Sequence, residues 1–222
     1  MANQSTAGYG CRQTMTVGNT PATGGQSEFN VQGGGSPGAT VAIFKGAPVQ
    51  MQKAAGAGAL GFIQDSTAAT MTDGDTGGAS WANAATNDLI GVFNGATFVA
   101  ANGKPTWTNG LAAAQTSSVD YNTGSNNITA FVNTNPAQEY TVRADAAVVQ
   151  ANFNTEFFNL NNAGAGVDGQ SDCTLDMGQA GNASTEGMWS IVRSANVIDQ
   201  NDLASAGGDV VVTYNTASML YS

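Results

Sequence analysis

Short runs of alternating apolar and polar residues, separated by Asn, Gly and Asp, make up most of the chain. Ile128, Ala130 and Val132 alternate with polar neighbours, as do Cys173, Leu175 and Met177, and Trp189 with Ile191. A two-residue period turns one face of each run to a core and the other to water, the mark of a half-buried strand. Glu139 to Asp145, after the Asn135-Pro136 turn, and Asp209 to Tyr214 extend the set. Val41 to Met51 alternates loosely and holds Pro48, which predicts an edge or bent strand. Leu60 to Ile63 adds a short apolar run. The sharpest local signal is Leu89 to Phe93 and Ala96 to Ala100 around Asn94-Gly95. Asn-Gly supplies the positive φ that a type I′ turn needs, so this segment predicts a β-hairpin turning at Asn94-Gly95. Only 146–158 suggests a helix, with Val148, Val149, Phe153 and Phe157 at helical spacing. Asn152 and Asn154 limit it to two or three turns. The fold expected is mainly β: an antiparallel β-barrel or β-sandwich with at most one short helix.

Residues 1–40 differ from the rest. They are polar, rich in Gly, Ser, Thr and Gln, and their large apolar residues Met15, Val17, Phe29 and Val31 are spaced by two within each pair. Gly33-Gly34-Gly35-Ser36-Pro37-Gly38 then breaks the pattern. The segment reads either as a loose terminus or as a long extended N-terminal arm that orders on a neighbouring subunit. On the second reading, removal of residues 2–35 leaves a folded domain that no longer docks. Residues 41–222 then form a single β-rich domain, with a long polar loop near 66–86.

Composition narrows the function classes. The 222 residues include 6 Lys and Arg against 16 Asp and Glu, a formal charge of −10, with charged residues only 10% of the chain. So few cations make nucleic acid an improbable partner, since phosphate binding needs clustered Lys and Arg. No apolar run has the length of a membrane span, and a membrane is not an expected partner. Histidine is absent, which removes the commonest general base and metal ligand and every Ser-His or Cys-His pair. The expectation is a protein that is not an enzyme and uses no cofactor.

The candidate chemistry is weak where it exists. Two Gly-x-Gly-x-x-Gly windows, Gly56 to Gly61 and Gly164 to Gly169, lack the strand-then-helix context of a dinucleotide loop and are expected among 29 glycines. Asp73-Gly74-Asp75 starts like a calcium loop, but Gly77 and Ala84 stand where further ligands are needed, so a solvated acidic turn is expected. Asp172 and Asp176 share a strand face opposite Cys173, Leu175 and Met177. Paired carboxylates hydrolyse glycosides, yet solvated acids on an outer face are the plainer reading. Cys11 and Cys173 are too few for a zinc site, and nothing in the sequence brings them together, so two free thiols are expected. Trp189 sits in a core-like run. Trp81 and Trp107 lie in polar surroundings and suit an interface, where aromatic anchors are enriched.

Taken in order, several segments resemble tailed-bacteriophage virion proteins of the capsid decoration or cement type. These are the polar opening Met1 to Gly10, which ends in Tyr9-Gly10, and the strands Ala42 to Val49, Leu89 to Gly95 and Asn135 to Asp145. Gly169-Gln170-Ser171 with Leu175-Asp176, and the late Val-rich strand, complete the series. The resemblance implies a structural protein bound to the outer capsid surface of a virion assembled in the host cytoplasm. Its partners would be the major capsid protein and copies of itself, a homotrimer being the favoured form. Tyr9, Met15, Val17, Phe29, Val31, Trp81 and Trp107 are then the candidate interface residues. A tail, knob, fibre-base or host-contact component is the alternative.

Overall fold

The computed structural model describes residues 7–17, 20–21, 25–31, 42–51, 62–65, 89–100, 103–111, 128–161, 167–179, 187–195 and 201–215. In chain order their strands are β1 Arg12–Thr16, β2 Thr20–Pro21, β3 Gln26–Val31, β4 Ile43–Phe44 and β5 Pro48–Met51. There follow β6 Phe62–Asp65, β7 Leu89–Val99, β8 Pro105–Thr108, β9 Gly110–Leu111 and β10 Thr129–Asn133. The last five are β11 Gln138–Arg143, β12 Phe157–Asn161, β13 Thr174–Asp176, β14 Trp189–Ser194 and β15 Asp209–Tyr214.

Two sheets carry the structure, and the fold is mainly β as expected. One has seven antiparallel strands in the order β13-β12-β14-β15-β11-β1-β2. The other runs β10-β3-β6-β5-β7-β8, and β7 also pairs with β10, so this sheet curls back on itself. Its β3–β6 pairing is parallel, and its other pairings are antiparallel. β4 and β9 form a separate two-stranded ladder.

Each sheet has its own core. Under the seven-stranded sheet, Tyr140, Trp189 and Tyr214 pack ring against ring among Phe158, Leu160, Leu175, Ile191, Val210 and Val212. Their centroids lie 4.7 to 5.7 Å apart, the tilted and edge-on range that aromatic pairs favour. The two phenol oxygens meet at 2.8 Å, and the Tyr214 hydroxyl also donates to the Asn133 carbonyl at 3.3 Å. The curled sheet encloses mostly aliphatic residues: Val31, Ile43, Val49, Ile63, Ile90, Ala96, Leu111, Ile128, Ala130 and Val132, with Phe93.

β7 joins these cores. Ile90 and Asn94 fall where the register with β5 and β10 shifts, and each shift breaks strict alternation. Leu89 and Val92 therefore enter the first core while Ile90, Phe93 and Ala96 enter the second. Here the hairpin expectation is corrected. Asn94-Gly95 lies inside one eleven-residue strand. Gly95 has φ +127° and uses its freedom for a bulge, with β10 paired on either side of it. On its other edge β7 pairs with β5 at Leu89 to Val92 and with β8 at Ala96 to Val99. The chain reverses later, where the Gly103 N–H donates to the Ala100 carbonyl at 2.8 Å.

Three other expectations change. The 146–158 segment is no multi-turn helix: one 3₁₀ turn spans Gln150–Asn152, and Phe157 and Phe158 begin β12. The Asn152 carboxamide accepts the Val149 N–H at 2.7 Å and donates to Glu156, which closes a turn and competes with helix continuation. Of the two readings of Pro48 the edge is excluded, because β5 lies between β6 and β7, while the register shift between Val49 and Gln50 fits the bent strand. The described parts of residues 1–40 are extended, yet they pair inside the chain. β1 lies on β11, and β3 lies between β10 and β6. Truncating them removes strands from both sheets, so the expectation of an intact truncated domain is withdrawn. The long loop near 66–86 is outside the described residues.

Candidate functional site

The outer face of the curled sheet carries the most exposed aromatic surface among the described residues. Paired residues of an antiparallel sheet share a face, and Trp107 on β8 pairs with Thr97, which pairs with Thr129 on β10. One step along, Gly95 pairs with Phe131. Without a side chain at Gly95 the Trp107 ring packs against β7; a Cβ there would come within 2.4 Å of the ring. Trp107 thus reaches Phe131, at 5.3 Å between centroids and 32° between planes. Its indole N–H donates to the Asn109 Oδ1 at 3.3 Å. Two residues from Trp107, Pro105 pairs with Val99, and both are exposed. Trp107 keeps 50% of its surface exposed and Val99 45%. The result is a fixed apolar patch on the last strand of the sheet, held in one orientation by the bulge beneath it.

The other anticipated interface residues are divided by the fold. Met15 and Val17 are exposed, at the β1–β2 end of the seven-stranded sheet. Val31 is buried, and Phe29 packs half-buried against the core of the curled sheet. Both are removed from the candidate interface because β3 is an internal strand whose apolar face fills its own barrel-like core. Trp81 and the Asp73/Asp75 turn lie outside the described residues.

Tyr9 has a role that sequence alone did not suggest. Two guanidinium groups lie against its ring, Arg12 at 4.1 Å and Arg143 at 4.9 Å from its centroid. Arg143 Nε and Nη2 donate to Asp209 at 2.9 and 3.4 Å, and Nη1 donates to the Ala7 carbonyl at 2.9 Å. Burial, then Asp209 as charge and hydrogen-bond partner, push the Tyr9 phenol well above its ordinary range. Cation–π contacts and a forked ion pair thus clasp the N-terminal segment to β11 and β15.

The two cysteines, which nothing in the sequence brings together, are neighbours and, as expected, free. The Gly10 N–H donates to the Cys173 carbonyl at 3.3 Å, and the Cys173 thiol donates at 3.7 Å to the Gly46 carbonyl, which also accepts the Cys11 N–H. Both thiols are free and buried, and burial followed by Cys173 drives the Cys11 thiol pKa upward. Their partnership depends on a loop-to-loop contact across most of the chain, which no local spacing announces.

The acidic pair also departs from its expected setting. β13 covers only Thr174–Asp176, so Asp172 stands before the strand. It is half-buried, and its Oδ1 is enclosed without a hydrogen-bond partner. Asp176 is half-buried and accepts the Gly178 N–H at 2.9 Å. Asp172 is thus not a fully solvated carboxylate, and the two acids do not share a strand. Among the described residues no three His, Cys, Asp or Glu side chains gather as a metal site, and no helix is long and apolar enough to cross a membrane. Compared with protein-family models, curated proteins and solved structures, the chain matches none.

Proposed function

We propose that this chain is a non-enzymatic virion protein that decorates the outside of a phage capsid and reinforces it, docking with the outer face of its curled sheet. The observation that carries this reading is Trp107, half-exposed yet fixed over Gly95 and against Phe131. An aromatic ring already held in place loses little freedom when a partner covers it, which is the property of an interface anchor. The low charged content and abundance of short polar side chains act in the same direction. Burial against several shell subunits would stabilise the particle by mass action. The major capsid protein is the proposed partner, and a homotrimer the proposed assembly.

The test is co-sedimentation of purified protein with empty heads and, separately, with isolated tails of its phage. Trp107→Ala should weaken head binding by at least about tenfold, the range of a hot-spot aromatic, without unfolding the protein. Particles without the protein should release their genome at a lower temperature. Binding to tails alone would favour a tail, knob or host-contact role. Head binding unaffected by Trp107→Ala would remove the proposed docking face.

A further inference from the structure

The seam between the sheets opens into a cleft of about 550 Å³, within the 300–1,000 Å³ range of small-ligand sites. Neither Trp107 nor Phe131 lines it, and its walls include Tyr9, Arg12, Lys45, Asn94, Asn133 and Tyr140. Its backbone frame is tightly tied. The Gly46 N–H donates to Phe93, the Cys11 N–H to Gly46 and the Ser171 N–H to Lys45, each at 2.8 to 2.9 Å. The opening is therefore a feature of packed strands.

Its charge is the reverse of the molecule's. The chain carries 16 acidic residues, yet none of the described lining residues is acidic. Two of the six cations, Arg12 and Lys45, border the cleft, and neither forms an ion pair with a carboxylate among the described residues. The wall also holds Asn133, which is 3% exposed. Its Oδ1 accepts the Asn135 N–H at 3.2 Å, and its Nδ2 is closed to solvent. Two cations with no carboxylate partner among the described residues, Arg12 stacked on the Tyr9 ring and Lys45, therefore border one opening that has no acidic wall. That combination describes a receptor for an anion.

We propose that this cleft binds a carboxylate-bearing ligand, with Arg12 and Lys45 taking the carboxylate and Asn133 forming part of the wall. The carboxylate belongs either to a free sugar acid or to an acidic segment of a docked protein; both present the same group. The site is independent of the Trp107 face, so either proposal stands if the other fails.

The experiment titrates the full chain, at low ionic strength, with glucuronate in one arm and the dipeptide N-acetyl-Asp-Glu in the other. Glucose and N-acetyl-Asn-Gln are the neutral controls. The readout is the Asn133 side-chain NH₂ resonance, assigned by its loss in Asn133→Ser. Saturable movement of that resonance by at least one acid, and by neither control, is the expected result. Arg12→Gln with Lys45→Gln should weaken it at least about tenfold, while Lys104→Gln, an exposed cation elsewhere, should leave it unchanged. Binding by glucuronate alone identifies a sugar acid, and binding by the dipeptide alone identifies a protein segment. No saturation by either acid, equal binding by the controls, or undiminished binding in the double variant would overturn the proposal.

Discussion

The two sheets bury different materials. The seven-stranded sheet keeps its aromatic residues inside, where Tyr140, Trp189 and Tyr214 form a stacked and hydrogen-bonded group closed to water. The curled sheet fills its interior mainly with aliphatic side chains and carries Trp107 and Phe131 on the outside. The same residue type thus serves cohesion in one sheet and presentation in the other. What separates them is the neighbour across the strand: Trp189 meets Tyr140 and Tyr214, whereas Trp107 meets the empty position at Gly95. Aromatic content alone does not identify a docking surface. The backbone beneath the ring does.

The contrast can be broken at four points, taken from the largest effect. Deleting residues 1–31 takes β1 and β2 from one sheet and β3 from the other, and should abolish cooperative folding, read by circular dichroism and heating. A truncated chain that melts like the parent would show that neither sheet needs the N-terminal strands. Next come the tryptophans. Trp189→Ala should cost about 3–5 kcal/mol, as for a fully buried large side chain, whereas Trp107→Ala should cost about 1 kcal/mol or less of stability. Equal losses in denaturant titrations would erase the distinction drawn above.

Alkali should attack one sheet selectively. Burial holds the Tyr140 and Tyr214 phenols far above their ordinary range, so the folded chain keeps protons that the unfolded chain releases near pH 10. Stability is whole below that pH and falls as pH rises through it. The slope is about 1.4 kcal/mol per pH unit for each phenol, so about 3 for the pair. Cys11, raised by burial, adds to the loss from about pH 9. Melting temperatures measured between pH 8 and 11 should drop accordingly, and Tyr140→Phe with Tyr214→Phe should flatten the drop. The last point is Gly95→Ala. It forces a side chain into positive φ and against the Trp107 ring, at about 1–2 kcal/mol, and should shift Trp107 fluorescence towards that of a solvated indole. Unchanged emission would mean that the ring does not depend on Gly95.

Much of the strand inventory was legible because alternation is a local property. Ile128 to Val132, Cys173 to Met177 and the Val-rich run ending at Tyr214 all form or flank strands with the expected faces buried. The turn at Asn135 is present too, with its Oδ1 accepting the Ala137 N–H at 3.0 Å. What local pattern cannot give is the partner. Asn94-Gly95 supplies the same positive φ to a hairpin turn or a bulge, and β10 lying alongside decides between them. Val31 alternates like an interface residue until β6 and β10 enclose its strand. The cleft cations Arg12 and Lys45 stand far apart in sequence, in segments that show no shared motif. Trp107 was legible as exposed because its neighbours are polar, but its fixed pose over Gly95 was not.

The placing of β1 against β11 has a consequence for the order of events during synthesis. Gln13 meets Gln138 through a side-chain hydrogen bond at a separation of 125 residues. At roughly 5–20 residues per second of translation, the N-terminal strand emerges roughly 6 to 25 seconds before its partner exists. During that interval the edge that will meet β11 is unpaired. The sparse, polar and glycine-rich character of the first 40 residues suits such a wait, since a run with few apolar residues and few long strands resists premature pairing with another nascent chain. The composition that made this segment look like an appendage is also what lets a strand made early be among the last to find its place.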